Sequence, residues 1–68
     1  MTTDKRFKHN LLKLMGVYSL TQQQLADELE IDIRTIGYWL GKRSSIPMVT
    51  TLIKIASRFD TTIEALLN

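Results

Sequence analysis

The sequence predicts an all-α fold, a small body of five short helices. Three observations carry that expectation. Apolar residues recur at three- and four-residue intervals through most of the chain, the period of one helix face. Only Pro47 and the glycines at 16, 37 and 41 punctuate it, and no long polar loop is visible. The one stretch with strand-like composition, residues 30–40, has no second strand elsewhere to pair with.

Helix one is expected over about Lys5 to Met15, because Phe7, Leu11, Leu14 and Met15 share a face. Gly16 is expected to end it. Helix two starts after Leu20. Thr21 and Gln24 have the spacing of a capping box, in which each side chain satisfies a free amide of the first turn. Leu25 and Leu29 point inward at i, i+4, with Ala26 beside them small enough for another helix to approach. Helix four follows Pro47, which fits the first helical turn because its missing N–H is not needed there. Leu52, Ile55, Ala56 and Phe59 form its buried stripe, and Lys54 and Arg58 lie off it as solvated surface. Thr62 is a good N-cap for helix five, whose apolar contacts are Ile63, Leu66 and Leu67.

Helix three has to be argued against a strand. "EIDIRTIGYWL", residues 30–40, is rich in β-branched and aromatic residues. A strand over Ile31 and Ile33 breaks its alternation at Ile36 and Gly37, and a lone strand leaves its backbone donors unpaired. With Asp32 as N-cap, Ile36, Trp39 and Leu40 instead form a compact inward face. Ile33, Arg34, Gly37 and Tyr38 are left on the outward face. Gly37 costs such a helix roughly 1 kcal/mol relative to alanine. A structural helix has no use for it, but a glycine lets the backbone approach another surface closely.

The 68 residues, 1–68, are expected to form a single domain with a modest core. Without cysteines there is no disulfide framework or thiolate metal site. The apolar runs are too short to span a membrane, and the N-terminus lacks the apolar stretch of a secretion signal. A cytoplasmic protein is the expectation. Lys5, Arg6, Lys8 and Lys13 make the first twenty residues basic against Asp4 alone, whereas Asp27, Glu28, Glu30 and Asp32 form an acidic cluster. That cluster lacks the glycine and regular spacing of a calcium loop and reads as solvated surface with Asp32 as cap. His9, the only histidine, has no ligand partner at useful spacing. No nucleophile–base pair or metal constellation is present, so neither an enzyme nor a cofactor nor a small-molecule substrate is expected.

"LTQQQLADELEIDIRTIGYWL" resembles the helix-turn-helix core of the phage-repressor family, the Cro and CI type, and "TLIKIASRFDTTIEALL" resembles that family's closing two helices. The resemblance covers nearly the whole chain. It implies a compact five-helix, lambda-repressor-like domain. Two departures stand out. The family usually has glycine where this chain has Glu30, because the turn needs positive φ, so the turn is expected to be slightly remodelled. The loop between Trp39 and Pro47 is about one residue longer than is common in the family.

The resemblance implies that the Ile33–Leu40 helix lies in the major groove of DNA. Arg34 would bond guanine O6 and N7, Ile33 would pack on a thymine methyl, Tyr38 would reach a base edge or a phosphate, and Gly37 would permit close approach. Thr21, Gln22 and Gln23 at the start of helix two would contact the DNA backbone, as would Lys42, Arg43, Ser44 and Ser45 in the loop after helix three. The bland reading of Lys42 and Arg43 is pairing with a helix C-terminus. Lys5 and Arg6 would reach a flanking phosphate. The implied function is a sequence-specific transcriptional regulator, a small phage repressor or Cro-like protein, binding a double-stranded operator as a homodimer in a bacterial or phage-infected cell. Helix five, at Leu66 and Leu67, is a candidate dimer contact, unless those leucines finish the monomer core. The alternative is a protein-interaction module, such as an antitoxin or antirepressor, using the same helical surface.

Overall fold

The computed structural model describes residues 2–42 and 45–68. Five helices follow in order: α1 Thr3–Val17, α2 Gln22–Leu29, α3 Ile33–Leu40, α4 Val49–Arg58 and α5 Ile63–Leu67. No strand occurs among the described residues. α1 packs against α5 and α3, α2 against α3 and α4, and α4 against α5. Every helix contributes to one apolar cluster: Phe7, Leu11 and Met15 from α1; Leu25, Ala26 and Leu29 from α2; Ile36 and Trp39 from α3; Leu52, Ile55 and Ala56 from α4, with Phe59 just beyond it; and Leu66 from α5. Leu66 is fully buried, so it finishes the core and is not free for a dimer contact; Leu67 packs at the edge.

The helix starts follow their side chains. The Thr21 hydroxyl accepts the Gln24 N–H at 3.1 Å, and Gln24 Oε1 accepts the Thr21 N–H at 2.8 Å, completing the capping box. Asp32 caps α3 and Thr62 caps α5. Helix one begins earlier than its apolar pattern suggests, since Thr2 accepts the Lys5 N–H and Asp4 suits the positive end of the helix dipole. Pro47 is not in the first turn of α4. Met48 is the extended N-cap, and the buried Pro47 precedes it. That places Pro47 and the buried Leu52 at the two positions of a hydrophobic staple.

Three helix ends share one geometry. After α1, Leu20 N–H donates to the Met15 carbonyl at 2.9 Å and Ser19 N–H to that of Gly16 at 3.2 Å. After α2, Ile31 donates to Ala26 at 3.0 Å and Glu30 to Asp27 at 3.2 Å; after α4, Thr61 donates to Ala56 at 2.9 Å and Asp60 to Ser57 at 3.3 Å. These are the paired bonds of the Schellman motif, which needs one left-handed residue. Ser19, Glu30 and Asp60 fill that role at φ 55°, 57° and 52°, and no glycine has positive φ. Helix one therefore runs through Gly16 and ends because Ser19 turns. The α2–α3 turn is not remodelled either: Glu30 adopts the conformation that glycine would favour. The reward is the burial of the next residue, since Leu20 and Ile31 both pack onto the core.

Long-range polar contacts tie the frame. Asn10 Nδ2 donates to the Leu66 carbonyl at 2.8 Å, fastening α1 to the end of α5. Tyr18 Oη donates to the Phe59 carbonyl at 3.3 Å. Arg58 is not plain solvated surface: its Nε donates to Glu28 Oε1 at 2.7 Å, and its guanidinium lies 5.5 Å from the Tyr18 ring centroid.

A left-handed residue with a side chain is strained by roughly 1–2 kcal/mol. Glu30→Gly should therefore stabilise the protein by about 1 kcal/mol, raising its melting temperature by several degrees. Ser19→Gly and Asp60→Gly should behave alike. Thermal or urea melts of the three variants measure this, and a lowered midpoint for all three would contradict the helix-end geometry.

Candidate nucleic-acid interface

α3 is eight residues of weak helix propensity held by its cap and its buried face. Ile36 and Trp39 are sunk in the core, and Trp39 meets the Phe7 ring edge to face at 6.0 Å between centroids. That contact sets the rotation of α3 about its axis. Ile33, Arg34, Gly37 and Tyr38 are exposed, as the helical period requires. Tyr38 is 69% exposed, a large aromatic with no place in the core.

The two glycines here differ in kind. A Cβ built on Gly41 would meet the Gly37 carbonyl oxygen at 2.9 Å, so the fold itself needs glycine at 41. A Cβ on Gly37 would meet nothing within 4 Å. The protein alone gives no steric reason for Gly37.

Arg34 is already engaged within the chain. Asp32 Oδ1 accepts the Arg34 backbone N–H at 2.8 Å, which is the helix cap. The same carboxylate accepts Nε at 3.2 Å and Nη2 at 2.9 Å. The Arg34 side-chain hydrogen bonds, followed by the backbone bond, hold the Asp32 carboxyl below its ordinary range, and the same side-chain bonds push the Arg34 guanidinium above its own.

At the start of α2, Thr21, Gln22 and Gln23 are exposed. The capping box satisfies the amides of Thr21 and Gln24. The amides of Gln22 and Gln23 have no partner within the helix, as expected of its first positions, and they point out of its positive end. The Thr21 hydroxyl accepts one bond and keeps its own proton to donate. The Gln23 side-chain NH2 donates one of its two protons to Asp27 Oδ1 at 2.9 Å and keeps the other.

Lys42 and Ser45 are exposed in the loop after α3; Arg43 and Ser44 lie outside the described residues. Lys42 joins Lys5, Lys8, His9 and Leu12 in lining a shallow groove between α1 and that loop. Lys8 Nζ donates to the Gly41 carbonyl at 3.4 Å. Lys8, from the far end of the sequence, thus sets a cation at the C-terminus of α3. Lys8 belongs to the basic N-terminal cluster of the sequence, and only the fold brings it beside Lys42. No local pattern marks the exposed apolar side chains of Met48, Val49 and Ile53 at the cap and first half of α4. No group of three or more potential metal ligands gathers among the described residues, and no helix described is long and apolar enough to cross a membrane.

A capped helix, a tight left-handed turn and a second capped helix with a glycine-bearing outer face define a helix-turn-helix unit. The family model described as helix-turn-helix matches residues 18–66, a span that begins at the end of α1 and reaches into α5. The chain belongs to this family, the Cro and CI type of DNA-binding regulators, which are typically not enzymes. No curated protein and no solved structure matches the chain closely enough to count as a relative.

Because Asp32 is depressed by Arg34, its contribution to folding is present above the ordinary aspartate range and lost as pH falls through its lower native value. Arg34→Ala should move the Asp32 midpoint upward, read by carboxyl carbon chemical shifts during an acid titration. An unmoved midpoint would show that the side-chain bonds are not formed in solution.

Proposed function

We propose that this protein is a transcriptional repressor of the phage Cro or CI kind, which occupies an operator in a bacterial cytoplasm and blocks polymerase. The observation that supports it best is the outer face of α3. Nothing in the fold calls for an exposed isoleucine, arginine, helical glycine and tyrosine together, whereas a groove of base edges uses each of them. Arg34 reads guanine, Ile33 meets a thymine methyl, Gly37 brings the backbone close, and Tyr38 reaches a base edge or a phosphate.

Phosphates on either side hold the helix in register. The free amides of Gln22 and Gln23 and the Thr21 hydroxyl grip one of them, with the Gln23 side chain beside them. Lys42, Arg43, Ser44 and Ser45 grip another. Lys5 and Lys8, beside Lys42 across the groove, extend the positive edge to a flanking phosphate. One copy reads few bases, so a homodimer on a pseudo-palindrome, with half-sites about one helical turn apart, gives an adequate site.

A protein partner is the second reading, favoured by the exposed Met48, Val49 and Ile53. Selection of bound duplexes from a random pool at low salt separates the two. A symmetric consensus supports the repressor; recovery of no sequence favours the protein partner.

Lys42→Ala should weaken every duplex about equally and reduce the salt slope by about one. Arg34→Ala should relax preference at one position of each half-site. If both variants lose affinity uniformly, α3 is not the reading helix.

Gly37→Ala should stabilise the free protein by about 0.5–1 kcal/mol yet weaken its binding to the selected duplex. Melting and binding measured on the same sample test this, and unchanged binding would remove Gly37 from the interface.

A further inference from the structure

The Arg34–Asp32 pair is exposed, with 82% of the arginine side chain and 48% of the aspartate accessible. Pairs so open to water add little to stability, so stability is a poor account of a two-point contact. Its geometry has a sharper consequence. A guanidinium has five N–H donors in one plane. Asp32 takes the Nε–H and one Nη2–H along one edge. Both Nη1–H donors and the second Nη2–H remain, and that Nη2–H with the adjacent Nη1–H forms the end-on fork that matches O6 and N7 of guanine.

We infer that Asp32 is a specificity-determining positioning residue, which holds the Arg34 plane so that its end-on fork meets guanine; this rests on the reading of α3 as the recognition helix. Asp32 acts in two ways. It ties down a long, flexible side chain before DNA arrives, so less freedom is lost on binding. It also sets a negative charge against the guanidinium edge that would otherwise swing onto a phosphate, and so turns Arg34 from a general anion binder into a base reader. The same Oδ1 that accepts the Arg34 backbone N–H anchors this arrangement to the first turn of α3, so the helix start and the readout side chain share one support.

The test separates charge from capping. Asn caps a helix as well as Asp does, and Ser nearly so, but neither carries the charge. Asp32→Asn and Asp32→Ser are compared with wild type and Arg34→Ala. The probes are the selected duplex, versions carrying each base in turn at every position, and an unrelated duplex, across a range of salt. The expected result is a melting temperature close to wild type, tighter binding to the unrelated duplex with a steeper salt slope, and a roughly tenfold loss of guanine preference at the position that Arg34→Ala relaxes. Retained guanine preference in both Asp32 variants overturns the inference. So does a uniform loss across all duplexes with a lowered melting temperature, which assigns Asp32 to capping alone. If wild type shows no base preference, or Arg34→Ala changes none, the recognition-helix reading itself fails, and the inference falls with it.

Discussion

Phe7 and Trp39 meet edge to face, and the surfaces at both ends of that contact depend on it. A short helix packed by two side chains has one main freedom, rotation about its own axis. Burying Trp39 against Phe7, with Ile36 one turn earlier, removes that freedom. The outward set of Ile33, Arg34, Gly37 and Tyr38 then follows from the helical period. The same contact sets α1: with Phe7 turned inward, the next residue, Lys8, stands at the end of α3 and reaches the Gly41 carbonyl. The readout face and the basic edge are thus two results of one aromatic pair. Edge-to-face rings satisfy the ring quadrupoles and resist sliding, which suits a joint that has to hold an angle.

What was legible in the sequence was local. The Thr21–Gln24 box and the caps at Asp32 and Thr62 are read within three or four residues, and the structure forms each of them. The inward faces of α2, α3 and α4 follow from spacing alone. Helix ends were harder. Gly16 looked like a terminator because glycine often supplies the left-handed turn, but the hydrogen bonds of the motif can impose that conformation on Ser19. Pro47 has the look of a first-turn proline and instead packs ahead of the cap, Met48, whose side chain makes no capping bond to announce it.

Contacts across the fold were not legible at all. Glu28 and Arg58 are thirty residues apart, and no local rule pairs them. Lys8 and Gly41 are thirty-three apart. Asp32 and Arg34 are neighbours in sequence, yet residues two apart in a helix face away from each other. Their pairing is possible only because Asp32 lies outside the helix, in extended conformation, where its carboxylate can serve the backbone and the guanidinium together. The outward face of α3 follows from the helical positions the core does not use, while the roles of its residues and of those at the start of α2 and in the following loop rest on the family resemblance; the bonds that organise them join atoms no local pattern places together.

The turns at Ser19, Glu30 and Asp60 have a bearing on how such a protein can change over generations. Selection keeps a domain only above the stability its function demands, and this chain holds that line with three helix ends in a conformation its side chains disfavour. One substitution at any of them restores margin without touching the core or the outer face of α3. Replacements at 33, 34, 37 or 38 leave the apolar cluster intact, and any modest cost they bring can be met at a distant turn. The surface that discriminates and the turns that stabilise are therefore free to vary in separate steps, a favourable circumstance for a lineage acquiring new binding preferences.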